Sequence, residues 1–410
     1  MLLKIGNLLF MMPWLVAAAV EYADRAILRT SSIWNRKIFL QIPVHDIARW
    51  NDSEVHNSLI TALNFLTGDQ WDIEFVNRSS NGKSPSGAYL NLSTETKAIL
   101  AYSEGLDSLA VAGIIKSEIG DALQRVRVSK GRSCTKIGKH EAFTRVPYNV
   151  DTTMIKPREA SARNRGFKFA MISSIAAYLS KAKEIIIPES GQGAIGPAII
   201  NVGRIYPDYR NHPRFTKLME KFVNALFKTE IHFIFPRLWN TKGETLREYF
   251  NTTNSDEWRR TKSCWKGNIW NSVNGKYRQC GICAACMLRR LSLYTAGQEE
   301  DPETYICSNI NAPTLEKAVD PNYLKKLNKS FEEYAIAGVL HLDHFAELTL
   351  DDSATNIKRH ARNLAPAIGL SEYDAENKLR LLTSKHADEW KNFLNSLSKN
   401  SFIHQWGQFK

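Results

Sequence analysis

The stretch "AILAYSEGLDSLA", residues 98–110, joins a short apolar run to a polar loop and then to a second apolar segment. The run "AILAY" reads as a buried strand, and the spacing after it predicts a helix from about Ser108 to Glu118. Between them lie Ser103, Gly105, Asp107 and Ser108. A helix N-terminus presents unpaired N–H groups and a partial positive charge, which together suit a phosphate. Gly105 lets the backbone approach a ligand closely. The Ser103 and Ser108 hydroxyls can donate to phosphate oxygens, and Asp107 can orient the loop or hold Mg²⁺. The same string also fits an ordinary turn with an Asp or Ser cap. Glu104 adds a carboxylate that repels pyrophosphate unless it faces away or meets a cation. The loop by itself leaves both readings open.

Around this loop, strands alternate with amphipathic helices. "ALQRVRV" (122–128), "EIIIPE" (184–189) and "IHFIFP" (231–236) read as strands. Residues 164–181 and 214–228 read as helices; in the first, Phe167, Ala170, Met171, Ser174, Ile175, Tyr178 and Leu179 share one face. Thr241 and Glu244 predict a capping box opening a further helix. This alternation indicates an α/β domain with a parallel sheet, whose ligands bind beyond the carboxyl ends of the strands. Upstream, residues 33–50 read as strand, 53–67 as helix and "QWDIEFVNR" (70–78) as strand, a small α+β segment. "NRSSNGKSPSGAY" (77–89) has the composition of a linker. Beyond residue 300 the chain reads as helical. The expected division is 1–95, 96–299 and 300–410.

The formal net charge of +12 is uneven. Residues 100–299 hold 32 Lys+Arg against 17 Asp+Glu, whereas the flanks are nearly balanced. A positive field centred on the loop region favours anionic ligands, nucleotide or nucleic acid. Arg125, Arg127, Lys130, Arg132, Lys136, Lys139 and Arg145 are spaced to follow a phosphate backbone.

Four of the six cysteines lie between residues 264 and 286. In "CGICAAC", pairs of intervening residues let Cys280, Cys283 and Cys286 converge on one metal, and Cys264 can complete a tetrahedron. Four thiolates without histidine suit structural Zn²⁺; an iron–sulfur cluster is the alternative. Cys134 and Cys307 stand outside the pattern and read as ordinary thiols.

Loop and cysteines together resemble one family, the 7-cyano-7-deazaguanine synthases, or QueC family of PP-loop ATP enzymes. The motifs that carry the resemblance are "SEGLDS" at 103–108, "ARNRGF" with Arg163 and Asn164, "YPDYR" with Asp208 and Arg210, and the cysteine motif at 264–286. Glu104 stands where the family has glycine, and Tyr209 where it has cysteine. The long flanks are similar to those of the QueC-like proteins of bacterial anti-phage operons, the QatC branch. The resemblance implies a PP-loop, HUP-like adenine-nucleotide-binding sheet with a four-cysteine zinc subdomain, and ATP, Mg²⁺ and Zn²⁺ as cofactors. It implies a ligase that activates 7-carboxy-7-deazaguanine as an acyl-adenylate and then amidates it with ammonia or a protein amine. The residues it points to for the nucleotide are Ser103, Glu104, Gly105, Leu106, Asp107 and Ser108, with Asp107 and Ser103 catalytic. For the substrate it points to Arg163, Asn164, Asp208 and Arg210. A protein partner from a defence operon is expected ahead of a nucleic acid. A catalytically silent scaffold and a PP-loop enzyme acting on tRNA remain alternatives.

Leu8 to Val20, "LLFMMPWLVAAAV", imitates a signal peptide but is too short to span a bilayer, which needs about 20 residues. With an ATP-using chain behind it, the expectation is a buried helix, or a true start at Met11 or Met12, in a cytoplasmic protein.

Overall fold

The computed structural model describes residues 3–4, 8–29, 35–78, 89–90, 92–103, 105–129, 144–156, 159, 163–200, 202–203, 206–265, 272–407 and 409. The chain divides into two compact units, neither continuous in sequence. The first comprises Met1–Ser103, Ile115–Pro188 and Asp208–Pro236; the second comprises Glu104–Ile114, Glu189–Pro207 and Arg237–Lys410. These units cut across the three consecutive blocks expected from the sequence.

In the first unit the apolar N-terminal run forms helix α1 (Leu8–Ala26). Val16, Ala17 and Val20 on it are fully buried, so its hydropathy belongs to a protein core. No described helix is long and apolar enough to cross a membrane. Strands β1 (Lys37–Val44) and β2 (Gln70–Asn77) pair in parallel, joined by α2 (Ser53–Thr67). Their alternation buries Ile38, Ile42 and Val44 on one strand and Trp71, Ile73 and Phe75 on the other. The strand expected over 33–50 stops at Val44. Asp46 accepts a hydrogen bond from the Arg49 N–H and opens a helical turn, Ile47–Trp50, whose Trp50 is buried. Most of the expected linker, residues 79–88, lies outside the described residues, as does Cys134.

Strand β3 (Ala98–Ala101) is followed by helix α3 (Leu106–Ile119), then β4 (Leu123–Ser129), β5 (Thr144–Pro147), α4 (Arg165–Ser180), β6 (Glu184–Ile186), α5 (Pro213–Phe227) and β7 (His232–Ile234). The sheet order is β5-β4-β3-β6-β7 and every pairing is parallel. From β3 the chain builds outward through β4 and β5, then returns to lay β6 and β7 on the other side. That reversal leaves a crevice at the carboxyl ends of β3 and β6, where open α/β sheets bind ligands. The five parallel strands agree with the expected α/β class. Strand β5 was not anticipated, because "TRVP" is short and ends in proline.

The N-terminal segment is not a separate body. Val16 and Val20 of α1, Ile42 of β1 and Leu63 of α2 belong to the same hydrophobic core as Phe167 and Ile175 of α4 and Phe222 of α5. A two-stranded sheet with two helices buries too little apolar surface to stand alone, and this shared core supplies the rest.

The second unit is mainly helical: α6 (Lys242–Thr253), α7 (Ala284–Thr295), α8 (Lys329–Glu347), α9 (Ala354–Ile368) and α10 (Glu372–Ser396). The expected capping box is present at the start of α6, with Thr241 and Glu244 bonding reciprocally. Phe331, Val339 and Leu342 of α8 and Trp390 of α10 share one core with Cys280, Cys283 and Cys286. The C-terminal helices are therefore the support of the cysteine cluster.

Candidate functional site

β3 ends at Ala101, and Tyr102 extends its ladder by donating its N–H to the Val126 carbonyl at 2.8 Å. α3 begins at Leu106. The Leu106 side chain is fully buried among Leu246, Tyr249 and Trp258, so only its backbone can face a ligand. The Ser108 hydroxyl donates to the Gly105 carbonyl at 3.0 Å, which fixes the turn. Ser103 is exposed. Glu104 lies outside the described residues. Strand, loop and a fourteen-residue helix thus occur in the order that a phosphate site requires.

Asp107 sits in the first turn of α3, and its Oδ2 accepts a hydrogen bond from Lys242 Nζ at 2.6 Å. The Lys242 side chain is only 5% exposed. Sequence reasoning missed this residue. A signal was present: the capping box marks Lys242 as the first residue of α6, where a cation opposes the helix dipole and needs another reason to be there. Its backbone N–H donates to Gln192 Oε1 at 2.7 Å. Gln192 Nε2 in turn lies 2.7 Å from His386 Nδ1 and 3.4 Å from Glu389 Oε2. The Thr241 hydroxyl donates to Glu389. The lysine is thereby held by buried polar contacts from three separate segments.

The expected substrate residues lie in the first unit. Arg163 donates to the Thr67 carbonyl at 2.9 Å. The Asn164 N–H donates to Asp24 Oδ2 at 3.2 Å. Asn164 is buried, and its Nδ2 has no hydrogen-bond partner among the described residues. Asp24 also accepts from Arg29 at 3.1 Å and from Arg36 at 2.5 Å, and both arginines reach Asp69 as well. The Arg163–Asn164 pair is therefore anchored by the N-terminal segment.

Arg210 Nε lies 2.8 Å from each carboxylate oxygen of Asp208. Burial raises the Asp208 carboxyl, but the charge and hydrogen bonds of Arg210 outweigh it and hold the group below the usual carboxylate range. Gly166 brings the two expected motifs together. A Cβ there would lie 2.9 Å from both the Arg210 Cα and its carbonyl oxygen, so only glycine permits this approach. Tyr209, at the position of the family cysteine, packs on Phe65 of α2 with ring centroids 4.5 Å apart.

Cys264, Cys280, Cys283 and Cys286 place their sulfurs within 4.8 Å of one another. Cys280 and Cys286 are 3.8 Å apart, which is the edge of a tetrahedron with metal–sulfur bonds of about 2.3 Å. The Cys280 N–H points to Cys264 Sγ and the Cys283 N–H to Cys280 Sγ, each at 3.3 Å. The donor set fits a closed Zn²⁺ site. Gly338 of α8 lies against this knuckle; a Cβ there would come within 2.0 Å of the Ile282 carbonyl oxygen. Cys307 is buried beside the cluster and outside it.

Fold and site together define an α/β protein with a phosphate-type turn at its central strand and a four-cysteine knuckle. Residues 198–297, 100 of the 410, match the family model of the queuosine biosynthesis protein QueC. The matched stretch takes in Asp208, Arg210, Lys242 and all four knuckle cysteines, whereas Ser103–Ser108 and Arg163–Asn164 precede it. The match supports a QueC-like protein with ATP-dependent, ligase-type PP-loop chemistry.

Proposed function

We propose that this chain is an ATP-dependent carbon–nitrogen ligase that activates 7-carboxy-7-deazaguanine as an acyl-adenylate and amidates it. The observation that carries the reading is the Lys242–Asp107 pair on the helix that opens from the phosphate-type turn. A buried ammonium at that turn can neutralise phosphate charge developing on a bound nucleotide. The substrate carboxylate attacks the α-phosphorus, pyrophosphate leaves, an amine attacks the acyl carbon, and AMP leaves. Ser103 and the loop backbone hold phosphate, and Mg²⁺ enters with the nucleotide. Asn164, whose Nδ2 has no hydrogen-bond partner among the described residues, and the Asp208–Arg210 fork supply polar contacts for the deazaguanine. Zn²⁺ on the four cysteines is structural. We place the protein in the QatC-like branch of anti-phage systems, with an acceptor amine on a protein partner. What supports that placement is the extent of chain on either side of the QueC match.

The test is pyrophosphate release from ATP by full-length, zinc-loaded protein given 7-carboxy-7-deazaguanine, with and without amine. Release that depends on the deazaguanine is expected. Its absence from folded protein replaces the enzyme reading with a scaffold.

A further inference from the structure

His386 of α10 and Gln192 of the helical turn Gly191–Ala194 are 0% and 3% exposed, and both belong to the second unit with Asp107 and Lys242. His386 Nε2 lies 2.8 Å from the Leu342 carbonyl oxygen of α8, and its Nδ1 lies 2.7 Å from Gln192 Nε2. A carbonyl oxygen only accepts, so Nε2 carries the ring proton. Burial pushes the imidazole down to about 4, so near neutral pH the ring is uncharged and Nδ1 only accepts. Gln192 must therefore present its NH₂ group to Nδ1, which turns its Oε1 the other way. There the Lys242 N–H donates to it at 2.7 Å. The second amide hydrogen has Glu389 Oε2 as its acceptor at 3.4 Å. The direction of every bond from α8 to α6 is thus set by one carbonyl.

A reversed Gln192 would set its oxygen against the Nδ1 lone pair and its NH₂ against the Lys242 N–H, leaving two buried contacts repulsive. Lys242 is the first residue of α6, so its N–H has no acceptor inside that helix, and Gln192 supplies one from outside. The turn that carries Gln192 is itself closely held. The Gly191 N–H donates to the Asn240 carbonyl at 3.1 Å, and a Cβ on Gly191 would lie 2.3 Å from the Leu238 carbonyl oxygen and 2.4 Å from Leu382 Cδ2 of α10. We propose that His386 is a positioning residue for Lys242: as the Nε2–H tautomer it locks Gln192 in one orientation, and Gln192 holds the start of α6 where the ammonium reaches Asp107.

The role at the phosphate-type turn rests on the ligase reading; the hold on Lys242 does not. Lys242 lies inside the stretch that matches the QueC model, whereas Leu342 and His386 lie beyond its end. The C-terminal helices then do more than support the cysteine cluster. α8 supplies the carbonyl and α10 the ring, and through Gln192 they set the ammonium that faces the turn. The two ring nitrogens have different duties, and that is what separates positioning from mere packing of the ring against Phe345, whose centroid is 4.9 Å away.

Two substitutions divide those duties. His386→Asn keeps an acceptor in place of Nδ1 and loses the donor to Leu342; His386→Gln keeps the donor and loses the acceptor. Each removes one buried hydrogen bond, so a ring that only fills space predicts equal effects. Lys242 is followed in full-length, zinc-loaded protein by reductive methylation and peptide mass spectrometry, with the exposed Lys183 as internal reference. His386→Gln should raise the Lys242 rate about tenfold and weaken ATP binding in calorimetry about tenfold, while His386→Asn should stay within about threefold of wild type in both. Equal Lys242 rates in the two folded variants would overturn the proposal. Histidine-selective ¹⁵N NMR of the wild type keeps the test open if a variant misfolds: His386 should be the Nε2–H tautomer near neutral pH, and an Nδ1–H ring or an imidazolium would overturn the proposal equally. Labelling and NMR need no substrate. Wild type that shows the Asn–Gln contrast but no deazaguanine-dependent pyrophosphate release would sink the ligase reading alone.

Discussion

Lys242 Nζ lies 2.6 Å from Asp107 Oδ2, across 135 residues of sequence. The pair, neutral as a whole, brings a buried ammonium to the first turn of α3, where a phosphate would approach. Each partner excuses the other: alone, a lysine this buried or a carboxylate facing a phosphate would be unfavourable.

Asp107→Ala should therefore abolish pyrophosphate release and destabilise the second unit by about 3 kcal/mol, since it leaves the ammonium unpaired. Lys242→Met keeps most of the side-chain volume. It should fold and yet lose pyrophosphate release by about 100-fold or more. Glu104→Gly should preserve or improve ATP binding by calorimetry. Wild-type activity in Lys242→Met would remove the lysine from the proposed chemistry.

Zinc should be found at one ion per chain by elemental analysis. Ser at any of Cys264, Cys280, Cys283 or Cys286 should lower metal content and solubility together. Ser at Cys307 should spare the metal, because that thiol lies outside the tetrahedron. Gly338→Val should also release zinc, although it changes no ligand, by forcing α8 off the knuckle backbone.

Glu389 and His386 should give the second unit a characteristic pH profile. Glu389 rises from 4.5 to about 7 on folding, so its stabilising proton is lost as pH climbs through that window. His386 falls from 6.5 to about 4, so its contribution is present above 6.5 and lost as pH drops toward 4. Each effect amounts to about 3 kcal/mol, and between pH 4.5 and 6.5 they oppose. The apparent Tm should be nearly flat there. In Glu389→Gln it should climb steadily from pH 4 to 6.5 and exceed wild type at pH 7. A flat profile in that variant would show that His386 titrates normally.

Asp24→Ala should cost the first unit about 3–5 kcal/mol in urea denaturation, because Arg29 and Arg36 lose a shared, fully buried carboxylate and Asn164 loses the acceptor for its N–H. Breaking the Lys183–Glu230 pair should leave the same transition unmoved, since its groups are 75% and 71% exposed and 3.9 Å apart.

The strands and helices around the loop were legible in sequence because their apolar periodicities are strong. The helix expected over 164–181 runs Arg165–Ser180, and the one expected over 214–228 runs Pro213–Phe227. The cysteine spacing foretold that four sulfurs gather within 4.8 Å of one another. What sequence could not convey was long-range partnership. Nothing near Lys242 names Asp107, and nothing near Arg163 or Asn164 names Thr67 or Asp24. "KIFLQIPV" and α1 read as a separate segment because periodicity reports which face is buried and not what buries it. The strand expected past Val44 failed for a local reason, the Asp46 cap, which a β-rich run concealed.

The alternation of the chain between its two units has a consequence for how the protein is made. Translation releases residues 104–114 early, but the rest of their unit begins at Glu189 and continues to the C-terminus. The first unit cannot complete its sheet until β7 has emerged. At about 5–20 residues per second, the nascent chain holds Asp107 for roughly seven to twenty-seven seconds before Lys242 appears. The knuckle cysteines emerge later still, ahead of the α8 glycine and the α10 tryptophan that cover them. Ribosomes that stall or terminate before α10 would therefore release a product whose apolar knuckle lacks its Trp390 cover, a substrate for chaperones and proteases. The protein's yield in a cell should depend on uninterrupted elongation more steeply than that of a chain whose units follow one another in line.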